Sequence, residues 1–165
     1  MNNRKPVYWR ELLPELKMIQ QRGERLVFTN GVFDILHAGH VTYLEAAAAL
    51  GDRLVIGLNS DTSTRRLKGA CRPVVSQEHR AYLLQALSCV DFVALFDEDT
   101  PLEFISALLP DLLVKGADYS LDEIVGGAEV IAAGGKVETI DLVAGLSTSR
   151  LVDKILAAYG PDSGD

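Results

Sequence analysis

Short apolar runs alternate along this chain with longer stretches of helical periodicity. Arg25-Leu26-Val27-Phe28-Thr29, Leu54-Val55-Ile56-Gly57-Leu58, Phe92-Val93-Ala94-Leu95-Phe96, Leu112-Leu113-Val114 and Lys136–Ile140 read as five strands. Between them the pattern predicts helices over 39–50, 77–88, 101–108, 122–133 and 147–159. Gly51 stops the first of these, and Pro101 sits in the first turn of the third. Residues 12–21 predict an extra helix ahead of the first strand. Near-continuous apolar strands separated by helices imply a parallel sheet covered on both faces. The expected fold is therefore α/β, a single Rossmann-like, doubly wound domain with a five-stranded parallel sheet. Residues 1–24 form an N-terminal helical extension, 25–159 the domain, and 160–165 a tail expected to be disordered. In such sheets ligands bind beyond the carboxyl ends of the strands, near the switch in strand order.

The 165 residues suit one domain with one core, and 48% hydrophobic with 24% charged residues is an ordinary globular balance. A net charge of -7 gives no general attraction for nucleic acid or anionic membrane. The basic residues are nonetheless unevenly spread. Residues 64–80 hold Arg65, Arg66, Lys68, Arg72 and Arg80 against a single acid, Glu78, which suggests a small anionic ligand or else a solvated surface. Cys71 and Cys89 lack metal-site spacing. The polar N-terminus does not resemble a signal peptide, and no apolar run is long enough to span a bilayer; the expected location is the cytoplasm.

The chemistry concentrates just after the first strand. Small residues in Thr29-Asn30-Gly31 allow backbone N–H groups to approach a phosphate closely. His37 and His40 are three apart where the next helix begins, on one face and beside its positive end, with Gly39 leaving room between them. Donors fixed there suit a polyphosphate whose charge grows as pyrophosphate leaves. On spacing alone, a structural His pair and a metal site stay open, although metal sites generally need a third or fourth ligand. The only other histidine is His79.

Gly31-Val32-Phe33-Asp34 followed by His37-Ala38-Gly39-His40 resembles the HxGH signature of the nucleotidyltransferase superfamily. Gly145-Leu146-Ser147-Thr148-Ser149 resembles its second, ISST element, whose alternative reading is a plain helix N-cap. Here the chain departs from the pattern: Val152 stands where the superfamily places arginine, and Arg150 lies nearby. Asn59-Ser60-Asp61, Leu67-Lys68-Gly69, Arg72-Pro73-Val74, Arg80, and Asp111 through Tyr119 resemble the heptose 1-phosphate adenylyltransferases of the bacterial ADP-heptose pathway. In many bacteria that domain is fused to a sugar kinase, for which this chain has no room, so the resemblance is to the stand-alone form.

The resemblance implies transfer of AMP from ATP to D-glycero-β-D-manno-heptose 1-phosphate, with Mg²⁺ accompanying ATP and a homodimer as the usual assembly. It implies catalytic roles for His37, His40 and Lys68. Nucleotide contacts fall to Thr29, Asn30, Gly31, Phe33, Lys115, Gly116, Asp118, Ser147, Thr148 and Ser149. Acceptor contacts fall to Asp34, Asn59, Asp61, Arg72 and Arg80, with loop-holding the alternative for Asp34, capping for Asn59 and Asp61, and an exposed helix position for Arg80. No protein side chain is assigned to a metal. Two other functions are compatible with these features: a glycerol-3-phosphate cytidylyltransferase or related enzyme, and a non-catalytic nucleotide-binding module.

Overall fold

A computed structural model describes residues 6–117, 120, 123–143 and 145–160. The elements run β1 (Val7–Tyr8), α1 (Trp9–Gln21), β2 (Leu26–Gly31), α2 (Ala38–Ala48), β3 (Arg53–Asn59), α3 (Asp61–Lys68), α4 (Gln77–Gln85), β4 (Phe92–Phe96), α5 (Leu102–Leu108), β5 (Leu112–Gly116), α6 (Gly127–Ala132), β6 (Lys136–Ile140) and α7 (Thr148–Tyr159). The strands form one sheet of order β1-β4-β3-β2-β5-β6, and every adjacent pair is parallel. The expected α/β fold is present, with six strands instead of five. The additional strand, β1, is two residues long and pairs with β4 at the sheet edge. Two residues carry too little pattern to be read as a strand.

Side chains alternate across the sheet, as the period of a strand requires. Leu26, Phe28, Val55, Ala94, Phe96 and Leu113 point to one face, where α1, α5 and α6 supply Trp9, Leu12, Leu16, Phe104, Ile105 and Val130. Val27, Leu54, Ile56, Leu58, Val93, Leu95 and Val114 point to the other, where α2 and α4 supply Tyr43, Leu44, Ala47, Ala81 and Leu84. The apolar face of α1 thus belongs to the main core, with Leu16 fully buried.

The sequence pattern also passed over α3. Only Leu67 among its eight residues is a large hydrophobe, so no apolar stripe marks it. The helix forms through its ends instead. The Ser60 side chain caps it by accepting from the Ser63 N–H, Asp61 lies in its first turn, and Arg65, Arg66 and Lys68 lie in its last. Lys68 is therefore the last residue of a helix. No helix among the described residues is long and apolar enough to cross a membrane.

The strand order turns between β2 and β5. Successive strands run outward on one side of β2 through β3 and β4, and on the other through β5 and β6. The carboxyl ends of β2 and β5 therefore flank the crevice where such sheets place their ligands.

Candidate active site

A cavity of about 660 Å³ opens at this crevice. Its walls are the carboxyl ends of β2, β3 and β5, the N-termini of α2 and α7, and the end of α3. The volume lies in the range of sites that hold a small molecule.

His37 is the N-cap of α2, and its Nδ1 accepts from the His40 backbone N–H at 3.4 Å. A ring nitrogen that accepts carries no hydrogen, which assigns the neutral ring's N–H to Nε2. That Nε2 is buried and has no hydrogen-bond partner among the described residues, and neither has Nδ1 of His40. The two rings stack, with centroids 3.8 Å apart and planes inclined by 19°. Gly39 makes this possible: a β-carbon there would sit 3.1 Å from both His37 Nδ1 and Leu146 Cβ. Phe33, at φ 47°, closes edge-on against His40 with centroids 5.3 Å apart.

Burial lowers the pKa of His37. Burial and then the neighbouring His37 lower that of His40 to about 4. Both rings are neutral donors and acceptors near pH 7. The unfolded chain protonates His40 below about pH 6.5, so between there and about 4 the unfolded state holds more protons. Stability should therefore fall as pH drops through that window and should not depend on His40 above it. Urea midpoints at about pH 7 and about pH 5 check this, and His40→Gln should flatten the difference.

Across the cavity, Ser147 caps α7 by accepting from the Arg150 N–H at 3.2 Å. Thr148 and Ser149 follow in the first helical turn, and all three line the cavity. Two helix N-termini therefore face one space, and each favours an anion. Lys115, at the end of β5, lines it too and donates to the Asn30 carbonyl at 3.1 Å. Asn30, Gly31, Phe33 and Gly116 complete this side. Leu142, Val143 and Leu146 line it as well; Leu146 belongs to the ISST-like element, whereas Leu142 and Val143 carry no motif.

The other side of the cavity carries Asn59, Lys68, Arg72 and Asp34. Asp34 is almost wholly buried. Its Oδ1 accepts from the N–H groups of Val74 and Val75 at 2.8 and 2.9 Å, and its Oδ2 lies 2.7 Å from Arg72 Nε. It thus pins the segment carrying Arg72 over the cavity, the loop-holding alternative of its two readings. The Asn59 amide donates to Ser63 Oγ at 2.9 Å, beside the start of α3.

Three expected acceptor or nucleotide contacts lie elsewhere. Arg80 is not among the residues that line the cavity, and it is not an exposed helix position. Its side chain is fully buried and donates to the carbonyls of Val75 and Val32 at 2.9 and 2.5 Å. It also pairs with Asp61 Oδ1 at 2.7 Å, and Asp61 is not among the residues that line the cavity. Thr29 is fully buried inside β2, because the strand continues to Gly31. Its hydroxyl lies 2.7 Å from that of Tyr43, which donates to the Val114 carbonyl at 3.2 Å. Asp118 lies outside the described residues, as do residues 161–165 of the tail. Of the basic stretch, Arg66 is also committed elsewhere, to Asp99 at 2.6 Å and to the Asp97 carbonyl. Lys68 and Arg72 are its members that reach the cavity.

The cytidylyltransferase-like family matches residues 28–154. The chain is 56% identical over 144 residues to bifunctional protein HldE of Syntrophotalea carbinolica, covering 87% of this chain and 29% of that protein. To the protein of the same name from Citrifermentans bemidjiense it is 58% identical over 138 residues, covering 84% and 28%. It therefore spans less than a third of the length of these relatives. The crystal structure of the lipopolysaccharide core biosynthesis protein from Thermoplasma volcanium is 32% identical, with a TM-score of 0.60 over 73% of this chain and 98% of that one. With most of its folded length matched and the cavity built around His37-Ala38-Gly39-His40, the chain belongs to the cytidylyltransferase-like family.

Proposed function

We propose that this chain is an adenylyltransferase that transfers AMP from ATP to D-glycero-β-D-manno-heptose 1-phosphate, giving ADP-heptose and pyrophosphate. The observation that carries the reaction type is a single cavity, lined by two neutral, stacked histidines, by two helix N-termini, and by Lys68 and Arg72. The sugar rests on the resemblance of the segments 59–61, 67–69, 72–74 and 111–119, and is supported by the high identity to the HldE proteins.

In this reading the triphosphate lies against the N-termini of α2 and α7. An oxygen of the sugar phosphate attacks the α-phosphorus of ATP, and the bond from that phosphorus to the bridging oxygen breaks. The electron pair leaves with pyrophosphate. The nucleophile is already anionic, since a phosphate monoester loses its second proton near pH 6, so no strong general base is required. Rate enhancement then comes from alignment and from donors aimed at the growing charge. His37 and His40 supply those donors, and Ser147, Thr148 and Ser149 hold the far phosphates. Asn30, Gly31, Phe33, Lys115 and Gly116 seat the nucleotide, with Asp118 near the ribose. Lys68 bridges the two reacting phosphates as a mobile point charge, and Arg72, steadied by Asp34, holds the acceptor phosphate. Mg²⁺ enters with ATP, on phosphate oxygens and water.

The ATP requirement fits a cytoplasmic site of action. A homodimer fits the exposed apolar side chains Ile155, Leu156 and Tyr159 on α7. Phosphorus NMR of the reaction mixture tests the chemistry: the expected product holds a new sugar-linked diphosphate diester alongside free pyrophosphate. Formation of ADP with a doubly phosphorylated sugar would instead mean attack at the γ-phosphorus and would overturn the reading.

A further inference from the structure

Two carboxylates line the cavity among the described residues, Asp34 and Asp99. A site for two phosphorylated substrates has no use for free negative charge, so each needs an account. Asp34 is consumed internally by two backbone N–H groups and Arg72. Asp99 is not. It follows β4, at the ligand-binding end of the sheet, and only its Oδ1 is engaged, by Arg66 Nε at 2.6 Å. Arg66 also donates to the Asp97 carbonyl, so the guanidinium grips the loop at two points and sets the direction of the carboxylate. Oδ2 takes part in no hydrogen bond among the described residues, and the side chain is exposed toward solvent.

Asp99 shares its side of the cavity with Asn59, Lys68 and Arg72, beyond β3 and β4 and away from the wall formed by β5 and α7. A carboxylate there repels phosphate and attracts donors, and the donors a sugar phosphate carries are its hydroxyl groups. Hydrogen bonds to an ionised acceptor are about twice as strong as neutral ones. We propose that Asp99 is a specificity-determining residue that accepts hydrogen bonds from hydroxyl groups of the acceptor, so that the cavity selects a polyhydroxylated sugar phosphate over a short alditol phosphate. This inference rests on the adenylyltransferase reading above.

The test is steady-state kinetics of wild type, Asp99→Ala and Asp99→Asn with ATP, using heptose 1-phosphate and glycerol 3-phosphate as acceptors across a Mg²⁺ titration. Asp99→Ala should lower kcat/KM for heptose 1-phosphate roughly ten- to a hundredfold through KM, as expected for losing a hydrogen bond to a charged group. The KM for ATP should not move, activity with glycerol 3-phosphate should change little, and Asp99→Asn should fall between. An unchanged KM for heptose 1-phosphate in Asp99→Ala would overturn the inference while leaving the reaction intact. So would a changed Mg²⁺ requirement at constant acceptor KM, which would make Asp99 a cation ligand. A wild-type enzyme inactive with heptose 1-phosphate would overturn the reaction reading itself, and this inference with it.

Discussion

His40→Ala should turn over on the order of 100-fold more slowly or worse, by analogy with removal of one donor to a developing oxyanion. The expectation comes from where the ring is held. His40 lies in the first turn of α2, stacked on His37 and closed by Phe33. Its neutrality follows from burial, which takes its pKa to about 4. A neutral ring donates through one N–H and adds no full charge that would bind ground and transition states alike. The loss should therefore appear in kcat more than in the KM for ATP. Initial-rate kinetics at saturating substrates read this directly. A full rate with a raised KM would make His40 a binding residue only, and an unchanged rate would remove it from the mechanism.

The second large effect is on stability. Arg80→Met should destabilise the fold by about 3 kcal/mol, near the lower end of the cost of breaking a buried ion pair, because Asp61 keeps some solvent contact. The methionine fills much of the space but leaves the carbonyls of Val32 and Val75 and the Asp61 carboxylate without their donor. Those three groups belong to the segment after β2, the segment before α4, and the first turn of α3. Loss of the guanidinium should therefore also loosen Arg72 and raise the KM for the acceptor phosphate. Arg66→Ala breaks an exposed pair and should cost at most about 1 kcal/mol. Urea denaturation of the two variants beside wild type checks the contrast. Equal small losses would show that the buried network contributes no more than surface charge.

The parts of this molecule that were legible in its sequence are those set by local pattern. Apolar runs identified four of the strands because burial on both faces demands them, the exposed edge strand β6 showed through its alternation, and Gly51 and Pro101 marked where helices stop and start. The pair His37 and His40 with Gly39 between them was legible because its geometry depends on a strand-to-helix turn, a local structure. What escaped depended on partners distant in sequence or on ends rather than faces. Arg80 reads as an acceptor contact or a helix-surface residue until Val32, 48 positions away, is seen to receive its N–H. Thr29, expected at the nucleotide, lies within the strand with its hydroxyl beside that of Tyr43, because β2 runs two residues further than the apolar pattern predicts. The polar helix α3 is held by its cap and charged termini, which leave no hydrophobic stripe. Asp99 was invisible because a lone acid after a strand has no motif, and only its place at the cavity gives it a meaning.

Pyrophosphate release measures nucleotidyl transfer from ATP to a heptose phosphate most directly. ATP, CTP and GTP would each be paired with heptose 1-phosphate and with glycerol 3-phosphate. Release should require both substrates and be fastest by far with ATP and heptose 1-phosphate. Preference for CTP with glycerol 3-phosphate would contradict the heptose assignment, and no release with any pair would make the chain a nucleotide-binding module instead of an enzyme.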